Sequence, residues 1–207
     1  PLRYYLSATM PETSDSDFSW EDFARRNNDE LVATYGNLVH RALTFTFRNF
    51  DGIIPNPGKI NKEAIGFLEK VESLFSTVEQ NLRECHFRMA LSNAMNIAQE
   101  ANRYLESSSP WKTLKTDKEL TATTMWVVLS VINCLKIVLC PFLPSSSEKL
   151  NYMLGFPNDA GLNSWQWSPS LESLPPGQKM EIPEPLFVKL EDDITENEIK
   201  RLGSKPE

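Results

Sequence analysis

The run MWVVLSVINCLKIVLCPFL, Met125 to Leu143, is the segment that most limits what this chain can become. It is the longest apolar stretch, yet Ser130, Asn133 and Lys136 interrupt it and Pro141 closes it. A membrane span needs about 20 predominantly apolar residues. The interruptions make this run a core helix instead, expected over Asp117 to Leu139. A helix that is apolar nearly all round has to be enclosed by other elements.

The remaining pattern supplies them. Ser19 followed by Asp22 resembles a variant capping box, with Trp20 at the first helical position. A long helix is expected from there to Asn49, with Phe23, Leu31, Tyr35, Leu38, Ala42 and Phe45 on helical spacing and Gly36 as an interruption that permits close approach of another backbone. The segment Phe50 to Ile60 carries prolines and glycines and reads as a loop. A second helix is expected over Asn61 to Leu82, with Ile65, Leu68, Val71, Leu74, Phe75 and Val78 on one stripe. After a break at Asn81 and Arg83, a third spans Glu84 to Glu106, ending before Pro110 because the residue before a proline avoids the α region. Pro141 and Pro144 end the core helix, and a short helix is expected over Ser145 to Leu154, stopped by Gly155. Residues 1–17 begin with a short strand or helix end, LRYYLSATM. Beyond residue 155 the texture is irregular, with one or two short β pieces and a final short helix in ITENEIKRL. Trp165, Trp167, Leu186, Phe187 and Leu190 are too apolar for a free tail. The fold class is therefore all-α: an antiparallel bundle of about five helices with an irregular, partly extended C-terminal arm.

Composition narrows the function. The chain has 207 residues, 41% of them apolar, and a net charge of −7. A protein that holds nucleic acid by bulk phosphate contact is normally basic, so this acidity argues against that mode but leaves room for a small base-specific site. Acidic residues gather near the end, in LEDDITENEIK and at Glu181 and Glu184. Adjacent Asp192 and Asp193 read as solvated charges. Cys85, Cys134 and Cys140 form no CxxC pair, lie in expected helices, and read as small buried residues in a reducing compartment. His40 and His86 are too isolated for a metal site. No carboxylate pair, Ser/His/Asp set or phosphate-binding loop appears, and GKINKE lacks most of a P-loop. No catalytic residue, metal ligand or cofactor site is therefore expected within these residues. No N-terminal signal is visible, and without an initiator Met the chain reads as part of a longer protein.

One constellation does carry chemistry. Asn37 and Arg41 sit one helical turn apart, so they project from one face. Trp111 follows Pro110 just past the end of another expected helix. Taken singly, each is more often solvated surface or core filling. Together, an amide and a guanidinium can bond the edge of an unstacked base while an indole stacks on its ring. His40 borders the pair.

The stretches RYYL, FSWEDF, GNLVHR, ANRYLE, PWK and PLFVKLED, in that order, resemble the methionyl-tRNA synthetases over nearly the whole chain. In that family a class I catalytic domain precedes a helical anticodon-binding domain. The resemblance implies that Asn37 and Arg41, in the N-L-x-x-R segment, and Trp111 hold the cytosine of the CAU anticodon, with His40 and Pro110 as neighbours. Where some members carry another Asn one turn before the first, this chain has Ala33. HIGH-like and KMSKS-like segments are absent, so these residues alone are expected to be inactive. ATP and magnesium would belong to the catalytic part of the parent enzyme. The implied partners are the anticodon loop of tRNA(Met) and the parent's own catalytic domain, in the cytoplasm and with no membrane. The implied division is residues 1–17 as the end of the catalytic half, 18–155 as the helical anticodon-binding domain, and 156–207 as an arm packing back on the bundle or the catalytic half. Two other readings remain: the equivalent domain of another class I synthetase, and an acidic helical protein-interaction module.

Overall fold

The computed structural model describes residues 1–12, 15–157, 165–170, 172–191 and 193–203. The described residues form α1 (Leu2–Ala8), α2 (Trp20–Arg26), α3 (Asn37–Asn49), α4 (Lys62–Arg83), α5 (Phe87–Ser108), α6 (Pro110–Thr113), α7 (Lys118–Leu139), α8 (Pro144–Met153) and α9 (Ile194–Gly203). Among the described residues the expected β pieces reduce to one isolated antiparallel bridge, Ile53 with Lys179. Short helices raise the number above the five expected, but the long ones still pack as a bundle.

The interrupted apolar run is the centre of the molecule. Every α7 residue from Thr121 to Leu139 is buried. The helix has the length and mean hydropathy, 1.8, of a membrane span, yet is enclosed by the bundle. Asp117 caps it by accepting the Leu120 amide at 2.9 Å, which satisfies one orphan donor of its first turn. Around it, α4 and α5 form an antiparallel pair. Phe67 stacks on Tyr104 with ring centres 4.4 Å apart, and Lys70 reaches Glu100 at 2.8 Å.

Local differences from the expected pattern have local causes. The break between α4 and α5 falls at Glu84 to His86 rather than at Asn81 and Arg83. Cys85 takes φ +60 there and is exposed, so it is neither helical nor buried. Cys134 is buried and Cys140 partly so. Ile65 belongs to the exposed side of α4, 45% accessible, while Ala64, Leu68, Val71 and Phe75 face inward. His86 is exposed beside Glu84, 3.3 Å away. The N-terminal stretch is a helix, α1, whose Tyr4 and Tyr5 are buried. Ser19 caps α2 through the Asp22 amide at 3.2 Å, but its own amide donates to the Tyr5 hydroxyl and not back to Asp22, so the box is half formed.

The expected long helix is continuous from Trp20 to Asn49, but its middle, Asn27–Gly36, is π-helical. The Thr34 hydroxyl donates to the Asp29 carbonyl five residues back, at 2.8 Å. A π segment inserts extra residues per turn and rotates the helix beyond it. Here it keeps Leu31, Tyr35, Leu38 and Val39 in the core. Gly36 permits it: a Cβ there would lie 2.8 Å from the Leu31 carbonyl oxygen and 3.2 Å from the Phe187 ring.

The arm after α8 packs on the bundle. The Trp126 indole donates to the Leu174 carbonyl at 3.1 Å, and the Trp167 indole to the Ser130 carbonyl at 3.0 Å. Phe75 meets Trp165 and Trp167. Further on, Asn28 acts as a strand edge would. Its side chain accepts the Leu190 amide and donates to the Leu190 carbonyl, both at 2.9 Å. Asn27 donates to the Val188 carbonyl at 3.0 Å. Asp193 is exposed, and Asp192 lies outside the described residues.

Candidate nucleic-acid interface

The site is assembled where α5 ends. Ser109, in the left-handed region at φ +44, turns the chain abruptly; such a φ is uncommon outside glycine. Pro110 then starts the single turn α6, using a position whose missing amide costs nothing. Pro110 is buried and Trp111, next to it, is 39% exposed. The Thr113 and Thr121 hydroxyls bond at 2.7 Å and tie α6 to the first turns of α7. The indole is thus held on a short hydrogen-bonded turn and remains partly exposed.

Arg41 approaches from α3. Its guanidinium carbon lies 5.5 Å from the centre of the Trp111 ring, within the range of a cation–π contact. One guanidinium nitrogen also donates to the Glu106 carboxylate at 3.3 Å. The pair is exposed, with side-chain accessibilities of 40% and 67%, so its strength is small, about 0–1 kcal/mol.

Beside this contact is a cavity of about 330 Å³, within the size range of small-ligand pockets. Arg41, His40, Pro110 and Trp111 line it, with Phe45, Arg48, Leu105 and Met125 among the other walls. Asn37 does not line it; it is exposed at the start of α3, one turn before Arg41. Ala33, also exposed, lies in the π segment, where a turn is longer than four residues. The Asn37 amide bonds to the Val32 carbonyl, so Val32 and not Ala33 stands one turn below Asn37.

Arg48 carries no signal in the base-reading constellation, yet it lies two helical turns beyond Arg41, so extending the same periodicity would have found it. Leu105, Glu106 and Met125 have no such local signal, because their place depends on how α5 and α7 meet α3. Among the described residues no group of three His, Cys, Asp or Glu side chains could hold a metal ion.

Residues 54–207 match the family model of the anticodon binding domain of methionyl tRNA ligase, and residues 1–43 match that of tRNA synthetases class I (M). Asn37 and Arg41 fall under the second of these and Trp111 under the first, so the contact joins the two matched segments. The methionine–tRNA ligase of Dehalococcoides mccartyi is 46% identical over 202 residues, 98% of this chain and 36% of that protein. That of Pyrococcus furiosus is 44% identical over 192 residues, 93% of this chain and 26% of that protein. Among solved structures, Mycobacterium tuberculosis methionyl-tRNA synthetase in complex with methionyl-adenylate superposes with a TM-score of 0.80 at 26% identity, covering 90% of this chain and 36% of that one. The chain thus spans between about a quarter and just over a third of the length of these relatives. With a family model covering well over half of its residues and relatives this similar along nearly all of it, the chain belongs to the methionine–tRNA ligase family, the aminoacyl-tRNA synthetases for methionine.

Proposed function

We propose that this chain reads the CAU anticodon of tRNA(Met), so that the whole ligase attaches methionine to the correct tRNA. The observation that carries the reading is the Arg41–Trp111 contact at the mouth of an open cavity. A partly exposed indole on a short hydrogen-bonded turn is a stacking surface, and base–aromatic stacking contributes about 1–3 kcal/mol per base. A base sliding onto that ring would take the place of the Arg41 guanidinium. The released guanidinium would then donate to the carbonyl and ring nitrogen of cytosine. Asn37, one turn away on the open surface, would reach the exocyclic amine. A base with the wrong edge would leave these groups unpaired, and that penalty is the source of selectivity.

The rest of the reaction belongs to the parent enzyme. Its catalytic part would use ATP and magnesium to activate methionine, in the cytoplasm, and would be this chain's partner alongside tRNA. Titrating a labelled CAU stem-loop and one altered at the first anticodon base tests the reading. A clear preference for cytosine is expected; equal affinities would overturn it.

A further inference from the structure

The net charge of −7 conceals an uneven distribution. Several cations of the bundle are neutralised within the chain. Arg26 pairs with Asp22 and Glu30, Arg83 with Glu79, Arg103 with Glu100, and Lys149 with Glu184. A second set has no ion pair among the described residues: Arg48, Lys59, Lys62, Lys112, Lys115 and Lys118, all at least partly exposed. These are scattered in sequence, yet the fold brings their segments to one end of the bundle.

The convergence comes from contacts. Arg48 is at the C-terminal end of α3 and lines the Trp111 cavity. Lys62 opens α4, whose antiparallel pairing with α5 sets its first turn beside the end of α5. The Gly58 amide donates to the Thr123 hydroxyl at 2.8 Å, fixing the loop that carries Lys59 against the start of α7. Lys112 adjoins Trp111 on α6, and Lys115 lies in the turn between α6 and α7. The Lys118 ammonium sits 5.7 Å from the centre of the Phe50 ring, at the end of α3. Carboxylates at this end are partly engaged: Asp117 caps α7, Glu106 holds Arg41, and Glu119 lies against Gly58. Asp51 and Glu63 are the others here. Cations outnumber them, whereas over the whole chain acids prevail. Other cations without an ion pair, such as Arg88, Lys179 and Lys189, lie elsewhere along the chain.

We infer that Arg48, Lys59, Lys62, Lys112, Lys115 and Lys118 form a cationic collar at the Trp111 end of the bundle that binds the phosphodiester backbone of the nucleotides flanking the stacked base. This rests on the anticodon reading for the identity of the strand, but not for the charge itself. An RNA strand delivering one base to Trp111 must pass its neighbouring phosphates over this end. Each neutralised phosphate releases bound counterions, which ties affinity to salt. The acidic remainder of the surface repels RNA and confines it to the collar.

The test is the salt dependence of binding of a labelled CAU stem-loop to the full chain, between low and physiological salt. Lys112→Gln with Lys115→Gln, both exposed, should lower the slope of log affinity against log salt by about 0.7 for each charge removed. Their preference for cytosine over other first bases should persist. Lys189→Gln, an exposed cation on the arm, should change neither, and circular dichroism should show all variants folded. Trp111→Ala should lose the base preference and keep the slope. If the wild-type chain shows the slope but no base preference, the anticodon reading fails and the collar stands. A slope unchanged in the double variant, or no saturable binding at low salt, overturns the collar.

Discussion

The Arg41 guanidinium lies 5.5 Å from the centre of the Trp111 ring, so the two residues proposed to read a base occupy each other in the free protein. This sets the energetics of the site. Under the proposed reading, an incoming base would exchange one contact with the indole for another. Arg41 would lose a cation–π contact and an exposed ion pair, each of which is weak, and would gain hydrogen bonds to the base.

Replacing Trp111 with Ala should weaken stem-loop binding by about 1–3 kcal/mol. Trp111 is 39% exposed, so the thermal midpoint should stay close to that of the parent chain. In the whole ligase, methionine activation should remain normal while tRNA charging falls. Unchanged charging removes Trp111 from the site.

Arg41→Gln should flatten discrimination at the first anticodon base. The guanidinium is exposed and its partner Glu106 more so, so unfolding by urea should be almost unaffected. Binding to stem-loops bearing each of the four bases at that position is the measurement. A uniform loss of affinity accompanied by a lowered urea midpoint would indicate damage to the fold instead.

Lys136 should make stability depend on pH. It is 1% exposed in α7, its ammonium donating to the Asn151 side chain at 2.7 Å and sitting 4.0 Å from the centre of the Phe156 ring. Burial lowers its pKa from 10.5 to about 8, with the neighbouring Cys140 acting the other way. Between those values the unfolded chain holds a proton that the folded chain has released, so stability rises with pH. From pH 8 to 9.5 Lys136 alone should contribute a gain of about 1–2 kcal/mol. In the same window Cys134 and Cys140, whose thiol pKa values burial raises, act in the opposite sense, and above pH 10 so do the buried Tyr4, Tyr35 and Tyr104. The measure is therefore the difference between the unsubstituted chain and Lys136→Met, read from urea midpoints across that window: stability of the variant should fall relative to the unsubstituted chain as pH rises. Parallel pH profiles in the two proteins would show that Lys136 contributes nothing.

Gly155→Ala should loosen the arm. Gly155 has φ +81, and a Cβ would fall 1.9 Å from the Lys179 carbonyl oxygen. The strained backbone alone costs about 1–3 kcal/mol, and the clash adds to it. Lys179 belongs to the stretch that bridges Ile53, and the adjacent Gln178 bonds the Leu154 carbonyl at 2.6 Å. Trypsin should therefore cleave at Lys179 and Lys189 sooner in the variant, with the urea midpoint lowered. Identical digestion in both proteins would contradict this.

Helix positions were largely legible because apolar spacing records which face of each segment avoids water. The interrupted run at Met125 to Leu143 marked α7 as the core helix, and Pro110, Pro141 and Gly155 marked ends and stops. The one-turn spacing of Asn37 and Arg41 was also a local property, readable from the chain. The π segment was not, because it depends on Gly36 meeting the Leu31 carbonyl and the distant Phe187 ring. Neither was the exposed turn at Cys85 nor the left-handed Ser109 that aims Trp111. The membership of the cavity likewise lay beyond local pattern: Arg48 enters it while Asn37 stays outside, according to how α3 rests on α5 and α7. The clustering of unpaired cations on an acidic protein results from the same packing. Sequence periodicity determines which faces must be buried; only the fit of all the faces around α7 decides which exposed residues, remote along the chain, become neighbours.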